Sequence, residues 1–312
     1  MNYDVTVGIL TFNRPKGLRE TLNSCLNQKN TLNLKIDIIV IDNHPSGNGK
    51  EVVDQLCRPD LRIRYVQDLS RNMSVLRNRG FLEAKAPLVA FIDDDEAAAP
   101  DWLDTLVVAL HRSNAAIAVG LRSARFEASP PAYDPAGRMF IRDLQLPDLS
   151  AVELVTSWGK PRYGLGTGNS LFILDRCFGD GEPMMRESFG NAGGEDAELF
   201  ARLYRNGRQI VWTSKALVTE TVTPQRTTIA YRLIRTRREA QHYVSIYLDG
   251  STRPRATYIE LMFKGLVQVV IGTLIRFICF EDVSKSRIRG RLLCANGMGK
   301  LTWRRAVGYL PE

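Results

Sequence analysis

Cysteine and histidine are scarce in this chain of 312 residues. The five cysteines lie far apart and include no Cys-x-x-Cys pair, so a disulfide framework or a structural zinc site is not expected, and a reducing cytoplasm fits. Only three histidines are present, which excludes a histidine-rich metal site.

Sequence signals for several other classes of protein are also missing. Residues 1–5 lack the basic and apolar regions that begin a secretory signal peptide. There is no P-loop, and the glycine-rich residues 164–169 have neither the Gly-x-Gly-x-x-Gly spacing nor a helical pattern after them. These glycines are predicted instead to let the backbone approach a ligand closely.

Positive charge is concentrated at the end of the chain. The net charge is +8, and residues 224–312 contain 16 lysines and arginines against 6 acidic residues, so residues 1–223 are slightly acidic. We therefore predict a main domain over residues 1–223 and a basic, apolar helical region over residues 224–312. An anionic partner is expected for that region, either membrane phospholipid or nucleic acid.

Apolar strands and one-sided helices alternate in the first part of the chain. Apolar runs predict strands at residues 5–11, 36–41, 62–66, 88–92, 117–120, 170–174 and 210–212. Helical spacing of apolar residues predicts helices at residues 16–28, 50–57, 73–85 and 100–111. This alternation predicts an α/β fold, with a mostly parallel, Rossmann-like sheet flanked by helices and a helical appendage after it.

Residues 88–96 read Leu-Val-Ala-Phe-Ile-Asp-Asp-Asp-Glu, an apolar strand followed by four acids. Carboxylates this close together repel one another unless a positive group lies among them. A divalent cation that also contacts phosphates removes this cost, and carboxylate oxygens suit Mg²⁺ or Mn²⁺. We predict a metal and nucleotide site at Asp93, Asp94 and Asp95. The alternative is a solvated acidic turn before the next helix.

Another acid follows the end of a neighbouring strand. Asp42 comes directly after residues 36–41, as Asp93 follows residues 88–92. Ligands of open α/β sheets bind beyond the carboxyl ends of the strands, so both aspartates are expected at one edge. Taken alone, Asp42 could simply cap the next turn. Together the two strand ends predict a nucleotide-binding crevice.

A further acid pair, Glu195 and Asp196, follows two glycines and precedes a helical pattern. Acids at a helix N-terminus are stabilised by the helix dipole and by free N–H groups, which is a purely structural explanation. The glycines also free the backbone to direct these carboxylates towards a bound substrate, which is the functional explanation.

Two segments lie outside this regular pattern. Residues 122–163 include five prolines and show no sustained period, which predicts a loop that covers the substrate, or else surface decoration. Residues 258–280 are strongly apolar, but their longest uncharged run, residues 265–275, is shorter than the roughly 20 residues that span a bilayer. They predict an interfacial helix on an anionic membrane, or else a buried helix of a C-terminal bundle.

Short motifs recur along the chain in a specific order. They are Thr-Phe-Asn-Arg at residues 11–14, Asp-Asn at 42–43, Arg-Asn at 71–72, Arg-Asn-Arg-Gly at 77–80, Phe-Ile-Asp-Asp-Asp-Glu at 91–96, Pro-Asp-Trp-Leu at 100–103, Gly-Asn at 168–169, Gly-Gly-Glu-Asp at 193–196 and Val-Thr-Pro-Gln-Arg at 222–226. With this ordered set the sequence resembles family 2 glycosyltransferases of the GT-A fold. The likeness is to bacterial exopolysaccharide enzymes of the succinoglycan type and covers most of residues 3–240.

The resemblance implies a binding site for a UDP-sugar. Thr11 and Asp42 would hold the uracil and ribose, and Arg77 would lie near the base or the diphosphate. The remaining residues implied in nucleotide binding are Asn13, Arg14, Asp93, Asp94 and Asn169.

The resemblance also implies the catalytic and metal-binding residues. Asp196 would be the general base, with Glu195 beside it as a second catalytic carboxylate. Asp95, together with Asp93, would bind Mn²⁺ or Mg²⁺. Glu220 stands where some relatives have a histidine near the metal, which leaves a third protein ligand open.

These observations predict a metal-dependent, inverting sugar transferase that uses a UDP-sugar. No serine or cysteine nucleophile is evident, so a single displacement with inversion is expected. The expected partners are a lipid-linked or free saccharide acceptor and the inner face of the cytoplasmic membrane, where the protein would be peripheral. Nucleic acid is not expected, because the apolar helix and the lack of a binding motif argue against it. The alternative is a non-catalytic nucleotide- or glycan-binding module of the same fold.

Overall fold

The computed structural model describes residues 3–57, 63–154, 164–190, 193–278 and 285–305. The strands in these ranges are β1 Val5–Thr11, β2 Ile36–Asp42, β3 Ile63–Gln67, β4 Leu88–Asp93, β5 Glu96–Ala98, β6 Ile117–Phe126, β7 Ser150–Ala151, β8 Ser170–Ile173 and β9 Ile210–Val222. The helices are α1 Pro15–Leu26, α2 Gly49–Leu56, α3 Met73–Leu82, α4 Trp102–Ser113, α5 Leu174–Phe178, α6 Glu187–Gly190, α7 Glu195–Arg205, α8 Ile229–Asp249, α9 Pro254–Ile278 and α10 Lys285–Leu301. Short 3₁₀ helices span Arg138–Phe140 and Pro224–Thr227.

All of these strands join one sheet in the order β3-β2-β1-β4-β8-β6-β9-β5, and β7 pairs with β9. The strands β3, β2, β1 and β4 are parallel, whereas β8 runs antiparallel to both of its neighbours. The predicted α/β fold with a mostly parallel central sheet is therefore confirmed. The register pairs Thr11 with Asp42 and Leu10 with Asp93, so these three strand ends meet at one edge, as predicted.

Apolar helix faces cover the sheet on both sides. One core joins the sheet to α1 and α4 through side chains such as Leu18, Leu22 and Leu106. The other contains a group of aromatic rings, in which the centroid of Phe81 lies 4.9 Å from that of Phe91 and 5.3 Å from that of Phe172. Helices with one apolar stripe are expected to bury it in this way, which leaves the carboxyl edge of the sheet open for a site.

Two strands are much longer than the sequence predicted. β6 continues from the predicted residues 117–120 to Phe126, and β9 continues from residues 210–212 to Val222. The two strands pair with each other, with a register shift between Gly120 and Arg122. Residues 122–126 are therefore strand rather than part of the predicted irregular loop, because pairing with β9 supplies their hydrogen bonds. Residues 155–163, the end of that predicted loop, lie outside the described residues.

The last three helices follow the sheet and contact one another. Helices α9 and α10 approach closely at glycines: a Cβ on Gly272 would lie 2.6 Å from the carbonyl oxygen of Gly290, and one on Gly265 would lie 3.1 Å from that of Gly297. Such small residues let two helix backbones pack without a layer of side chains between them. The predicted boundary between the main domain and the C-terminal region, at residue 223, lies one residue after the end of β9. The division into two domains stays a prediction.

Helix α9 leaves most of its apolar surface uncovered. Its exposed apolar residues are Tyr258, Ile259, Phe263, Leu266, Val267, Val270, Ile271, Leu274, Phe277 and Ile278. Only 17% of its most apolar window is buried, which contradicts the alternative of a buried bundle helix. By length and composition alone its 25 residues could cross a membrane, so the shortness of its uncharged run does not exclude a membrane span. The predicted end of this segment, residues 279–280, lies outside the described residues.

Candidate active site

A cleft of about 1810 Å³ opens at the carboxyl ends of β1 and β4. Its other walls are formed by residues of α7, α8 and the start of α9. The acidic residues that line it are Asp93, Asp94, Asp95, Asp143, Glu195, Asp196, Glu220, Glu239 and Glu260. A single drug-sized ligand typically occupies about 300–1,000 Å³. This cleft is therefore large enough for two substrates side by side.

Asp94 is held by the residues that follow β1. The Oγ1 atom of Thr11 donates to Oδ2 of Asp94 at 2.9 Å, and Nη1 of Arg14 donates to Oδ1 at 3.0 Å. Burial raises the pKa of Asp94 above its usual range, although Arg14 and Thr11 oppose the shift. The predicted residues Thr11, Arg14 and Asp94 therefore lie together at the cleft, and they are bonded to one another.

Asp93 is paired with a buried arginine from α3. The Nη2 atom of Arg77 donates to Oδ1 of Asp93 at 2.5 Å. Burial alone would raise the pKa of Asp93, but Arg77, together with Arg122 and Arg142, outweighs burial and holds the pKa below its ordinary value. The Nε and Nη1 atoms of Arg77 are buried and have no hydrogen-bond partner among the described residues. They remain available to an anionic group that enters the cleft.

Asp95 lies among further carboxylates and is contacted by two arginines. Its Oδ2 atom accepts hydrogen bonds from Nη1 of Arg14 and from Nη1 of Arg226, each at 2.9 Å. Arg226 also donates to Glu220, which the pairing of β5 with β9 brings beside Asp95. Burial, followed by the charge of Glu220, raises the pKa of Asp95 to about 7. The carboxylates therefore carry a repulsion that the arginines only partly remove.

The predicted metal ligands, Asp93 and Asp95, have the oxygen donors that a divalent cation prefers, but they do not form a complete coordination site by themselves. Their oxygens are hard donors, and their mutual repulsion favours an added cation. Among the described residues, however, no group of three or more histidine, cysteine, aspartate or glutamate side chains is arranged to hold a metal ion. Asp93 and Asp95 each bond to arginine instead. A cation here would need further ligands, such as the phosphate oxygens of a nucleotide.

The acid pair Glu195 and Asp196 begins α7 and faces the same cleft. Thr167 donates from Oγ1 to Oδ1 of Asp196 at 2.8 Å. Burial raises the pKa of Asp196, and burial together with the charge of Asp196 raises the pKa of Glu195 to about 8. The Oε2 atom of Glu195 is buried without a hydrogen-bond partner among the described residues. A carboxylate with a raised pKa is a stronger base, which suits Asp196 to accept a proton, whereas Glu195 is mostly protonated at neutral pH.

The glycine-rich residues 164–168 lie between the acidic residues that follow β4 and those that begin α7. A Cβ on Gly168 would lie 2.5 Å from Oδ2 of Asp93, and one on Gly166 would lie 3.4 Å from Oδ2 of Asp196. Arg142 fixes this segment by donating to the carbonyl oxygens of Gly166, at 3.0 Å, and of Gly168, at 2.5 Å. The glycines thus allow close approach of the backbone to the acidic side chains.

Three residues of the predicted nucleotide site do not line the cleft. Asp42 is fully buried, and its carboxylate accepts bonds from the backbone N–H groups of His44 and Gly49, each at 2.9 Å. The hydroxyl of Tyr65 also donates to it. Asp42 therefore caps the turn before α2, the alternative raised from the sequence, and its neighbour Asn43 lines the cleft instead.

Asn13 and Asn169 are also placed away from the cleft. Asn13 is exposed and accepts a hydrogen bond from the side chain of Asn48 at 2.7 Å. Asn169 is fully buried: its Oδ1 accepts from Nε1 of Trp102, and its Nδ2 donates to two backbone carbonyls. The amide of Asn169 is thus occupied within the core, where it joins β6, β9 and α4 rather than contacting a nucleotide.

Two arginines that line the cleft, Arg142 and Arg226, were not predicted as site residues from the sequence. Arg142 lies in the predicted irregular segment, where no local pattern distinguishes a buried arginine from an exposed one. Burial and the neighbouring Arg122 lower the pKa of Arg142 to about 10. Arg226 belongs to one of the ordered motifs, but the sequence indicated no role for it beyond the positive charge of the C-terminal region. A pairing of β9 with β5, had it been predicted, would have placed Glu220 beside Asp95.

A sequence model of the family described as "Glycosyl transferase family 2" matches residues 6–161, half of the chain. The chain belongs to glycosyltransferase family 2. Among its relatives, the succinoglycan biosynthesis protein ExoM of Rhizobium meliloti is 28% identical over 239 residues, 76% of this chain and 73% of that protein. The validoxylamine A glucosyltransferase of Streptomyces hygroscopicus subsp. jinggangensis is 30% identical over 65% of this chain, and the match spans 52% of that enzyme.

Solved structures share the fold of this family 2 glycosyltransferase. The crystal structure of S. aureus TarS 1-349 in complex with UDP has a TM-score of 0.54 at 16% identity, covering 98% of this chain and 93% of that one. The mannosyltransferase PcManGT from Pyrobaculum calidifontis, in complex with GDP-Man and Mn²⁺, has a TM-score of 0.57 at 16% identity, covering 98% and 88%. These neighbours are glycosyltransferases of the GT-A fold, so the predicted fold is confirmed.

Proposed function

We propose that this glycosyltransferase moves a sugar from a UDP-sugar to a hydroxyl group of a saccharide, with inversion at the anomeric carbon. The observation that carries the proposal is the position of Asp196, which lies in the same cleft as Asp93, Asp94 and Asp95. The glycine-rich residues 164–168 contact both acid groups, so a donor at one and an acceptor at the other would be neighbours. The UDP in the TarS complex supports uridine diphosphate as the leaving group.

Asp196 is the proposed general base. The acceptor hydroxyl must lose its proton as its oxygen attacks the anomeric carbon, and a carboxylate within hydrogen-bond reach can take that proton. Burial in the cleft raises the pKa of Asp196 and so makes it a stronger base. For inversion the leaving diphosphate would depart from the face of the sugar opposite the attacking oxygen, and Arg77 offers two unpaired nitrogens, Nε and Nη1, to its oxygens. Attack and departure on opposite sides give inversion.

We also propose a divalent cation, Mn²⁺ or Mg²⁺, at Asp95 and Asp93. Such an ion would neutralise charge on the leaving phosphates. Asp95 would supply a carboxylate oxygen, and Asp93 could do so once Arg77 turned towards the diphosphate. The Mn²⁺ in the complex of PcManGT supports this choice of ion.

The proposed acceptor is a lipid-linked saccharide of a surface polysaccharide pathway, as the similarity to ExoM suggests. The cleft extends along α8 to Arg253, Thr257 and Glu260 at the start of α9. The exposed apolar face of α9 begins there, and residues 224–312 contain 16 lysines and arginines against 6 acidic residues. A helix of this kind beside basic residues suits the surface of an anionic membrane. The protein would therefore work on the cytoplasmic face, with the acceptor reaching the cleft from the lipid.

A non-catalytic nucleotide- or glycan-binding module is the second candidate. The buried carboxylate of Asp196 argues against it, because a module that only binds sugar nucleotides gains nothing from a buried base. The module would bind UDP-sugars but would release no UDP from them in the presence of any acceptor.

The donor site is tested by titrating UDP calorimetrically, with and without Mn²⁺, into the native protein and the Asp95→Ala variant. We expect UDP binding that depends on Mn²⁺ and is lost in the variant. Asp54→Ala removes an exposed carboxylate that pairs with Lys50 and serves as the control. Equal UDP binding with and without Mn²⁺, unchanged by Asp95→Ala, would contradict the proposed metal site. A panel of UDP-sugars then identifies the donor through release of UDP.

A further inference from the structure

Arg226 bridges two carboxylates at the cleft. It lies in the short 3₁₀ helix Pro224–Thr227, between the end of β9 and the start of α8. Its Nη1 atom donates to Oδ2 of Asp95 at 2.9 Å, and its Nη2 atom donates to Oε1 of Glu220. All three side chains are largely buried. The guanidinium of Arg226 thus donates hydrogen bonds to both carboxylates at once.

The backbone forces Asp95 and Glu220 together. In the pairing of β5 with β9, Glu96 is opposite Glu220, and the N–H of Thr221 donates to the carbonyl oxygen of Asp95 at 2.7 Å. Two carboxylates placed this close repel each other strongly unless a cation lies between them. Arg122 also approaches Glu220, with its Nε atom 3.2 Å from Oε2. The only described cationic group that contacts both Asp95 and Glu220, however, is that of Arg226.

This arrangement makes Arg226 and a divalent cation rivals for the same oxygens. A cation bound to Asp95 would lie close to the fixed positive charge of the guanidinium, and each would weaken the binding of the other. Arg14 is a weaker rival, because its side chain is half exposed and it divides its bonds between Asp94 and Asp95. The chain therefore carries its own counter-ion where the proposed function needs a metal.

We propose that Arg226 is an intramolecular competitor of the divalent cation at Asp95. The inference rests on the proposed metal-dependent function. In the absence of nucleotide, Arg226 keeps the affinity of Asp95 for the cation low. The diphosphate of UDP adds ligand oxygens for the cation and a new anionic partner for the guanidinium, so the cation and the nucleotide bind together. Each then raises the affinity of the other by the same factor, as thermodynamic linkage requires.

Arg226 also links this exchange to the C-terminal helices. Thr228 directly follows the 3₁₀ helix and caps α8, since its Oγ1 accepts a hydrogen bond from the N–H of Tyr231 at 3.2 Å. Release of the guanidinium from Asp95 therefore takes place three residues before the start of α8, the helix that lines the proposed acceptor side of the cleft. Donor binding and the acceptor wall are joined through this one short segment.

The test measures Mn²⁺ binding without nucleotide by electron paramagnetic resonance of the free ion, in the native protein and in Arg226→Gln. We expect at least tenfold tighter binding in the variant, because Asp95 and Glu220 each lose a cationic partner and the one group that contacts both is gone. The double variant Arg226→Gln/Glu220→Gln should lose most of that gain. Arg79→Gln, which removes an exposed arginine paired with Glu83 outside the cleft, should leave Mn²⁺ affinity unchanged.

The same titration with UDP present measures the coupling. UDP should raise the Mn²⁺ affinity of the native protein by a larger factor than that of Arg226→Gln. Unchanged or weaker Mn²⁺ binding in Arg226→Gln would overturn the competition while leaving metal-dependent UDP binding intact. A native protein that binds no Mn²⁺ even with UDP would overturn both the competition and the proposed metal dependence. If Arg226→Gln fails to fold, Arg226→Lys replaces it: lysine keeps the charge but lacks the fork that bridges two carboxylates, so a smaller gain is expected.

Discussion

The Oγ1 atom of Thr167 donates a hydrogen bond of 2.8 Å to Oδ1 of Asp196. Thr167 belongs to the segment that Arg142 fixes by its bonds to the carbonyl oxygens of Gly166 and Gly168. The orientation of the proposed base is thus set by Thr167 and, through the segment that contains it, by Arg142.

Replacing Thr167 with valine should slow transfer without weakening donor binding. One hydrogen bond to a charged group is worth about 1.5–3 kcal/mol, so we expect kcat to fall by about 10- to 100-fold. The bond opposes the raised pKa of Asp196, so its loss should also move the acid limb of the kcat/KM profile to higher pH. Thr167→Ser should restore both properties. An unchanged pH profile in Thr167→Val would show that the bond does not act on the base.

Replacing Asn169 with alanine should destabilise the protein while leaving UDP binding nearly unchanged. The change leaves two backbone carbonyls and the indole N–H of Trp102 unpaired in the core. We expect a loss of about 3 kcal/mol or more in the free energy of unfolding, measured by urea denaturation. A stable variant with much weaker UDP binding would instead return Asn169 to the nucleotide site.

The stability of the ligand-free protein should depend on pH through Glu195. Its folded-state pKa, about 8, is raised above the ordinary value of 4.5, so the folded state binds more protons than the unfolded state between these values. The stability from the neutral acid is therefore complete below about pH 4.5 and is lost as pH rises through about 8. Between pH 6 and pH 7 the native protein should lose up to about 1.4 kcal/mol more stability than Glu195→Gln. Identical slopes in urea denaturation of the two proteins would contradict this environment for Glu195.

The exposed face of α9 should carry membrane binding. The double variant Phe263→Ser/Phe277→Ser removes two side chains that are 67% and 73% exposed, and it should weaken binding to phosphatidylglycerol vesicles by at least tenfold. Leu82→Ser, at a residue 70% exposed on α3, is the matched control and should bind as the native protein does. Equal sedimentation of both variants with the vesicles would exclude α9 as the contact surface.

Local patterns in the sequence predicted the sheet and the acids at its edge, because alternating apolar strands and helices permit few topologies. The pattern failed where tertiary pairing decides the structure. The second half of β9 alternates buried and half-buried residues as far as Val222, but Ser214 and Lys215 interrupt its apolar run at the register shift opposite Gly120 and Arg122.

Side-chain roles were harder to predict than strands. The ordered motifs contain Asp93, Asp95 and Asp196, which line one cleft because the first two lie at or just after the end of β4 and the third lies in the first turn of α7. The motifs could not show that the side chains of Asp42 and Asn169 form their hydrogen bonds with other groups of the protein. The partners of Asn169, Trp102 and the carbonyls of Leu121 and Ala216, are distant in sequence and meet only in the folded core.

The most direct test of the proposed function compares catalysis with donor binding in Asp196→Asn. The account predicts that acceptor-dependent UDP release falls by about 10²–10⁴-fold, the usual contribution of a general base, while the Kd for UDP with Mn²⁺ stays within about threefold. Asp180→Asn, at an exposed residue outside the cleft, should leave both unchanged. An Asp196→Asn variant that keeps its rate of transfer, or that loses UDP binding together with it, would contradict the assignment of Asp196 as the base.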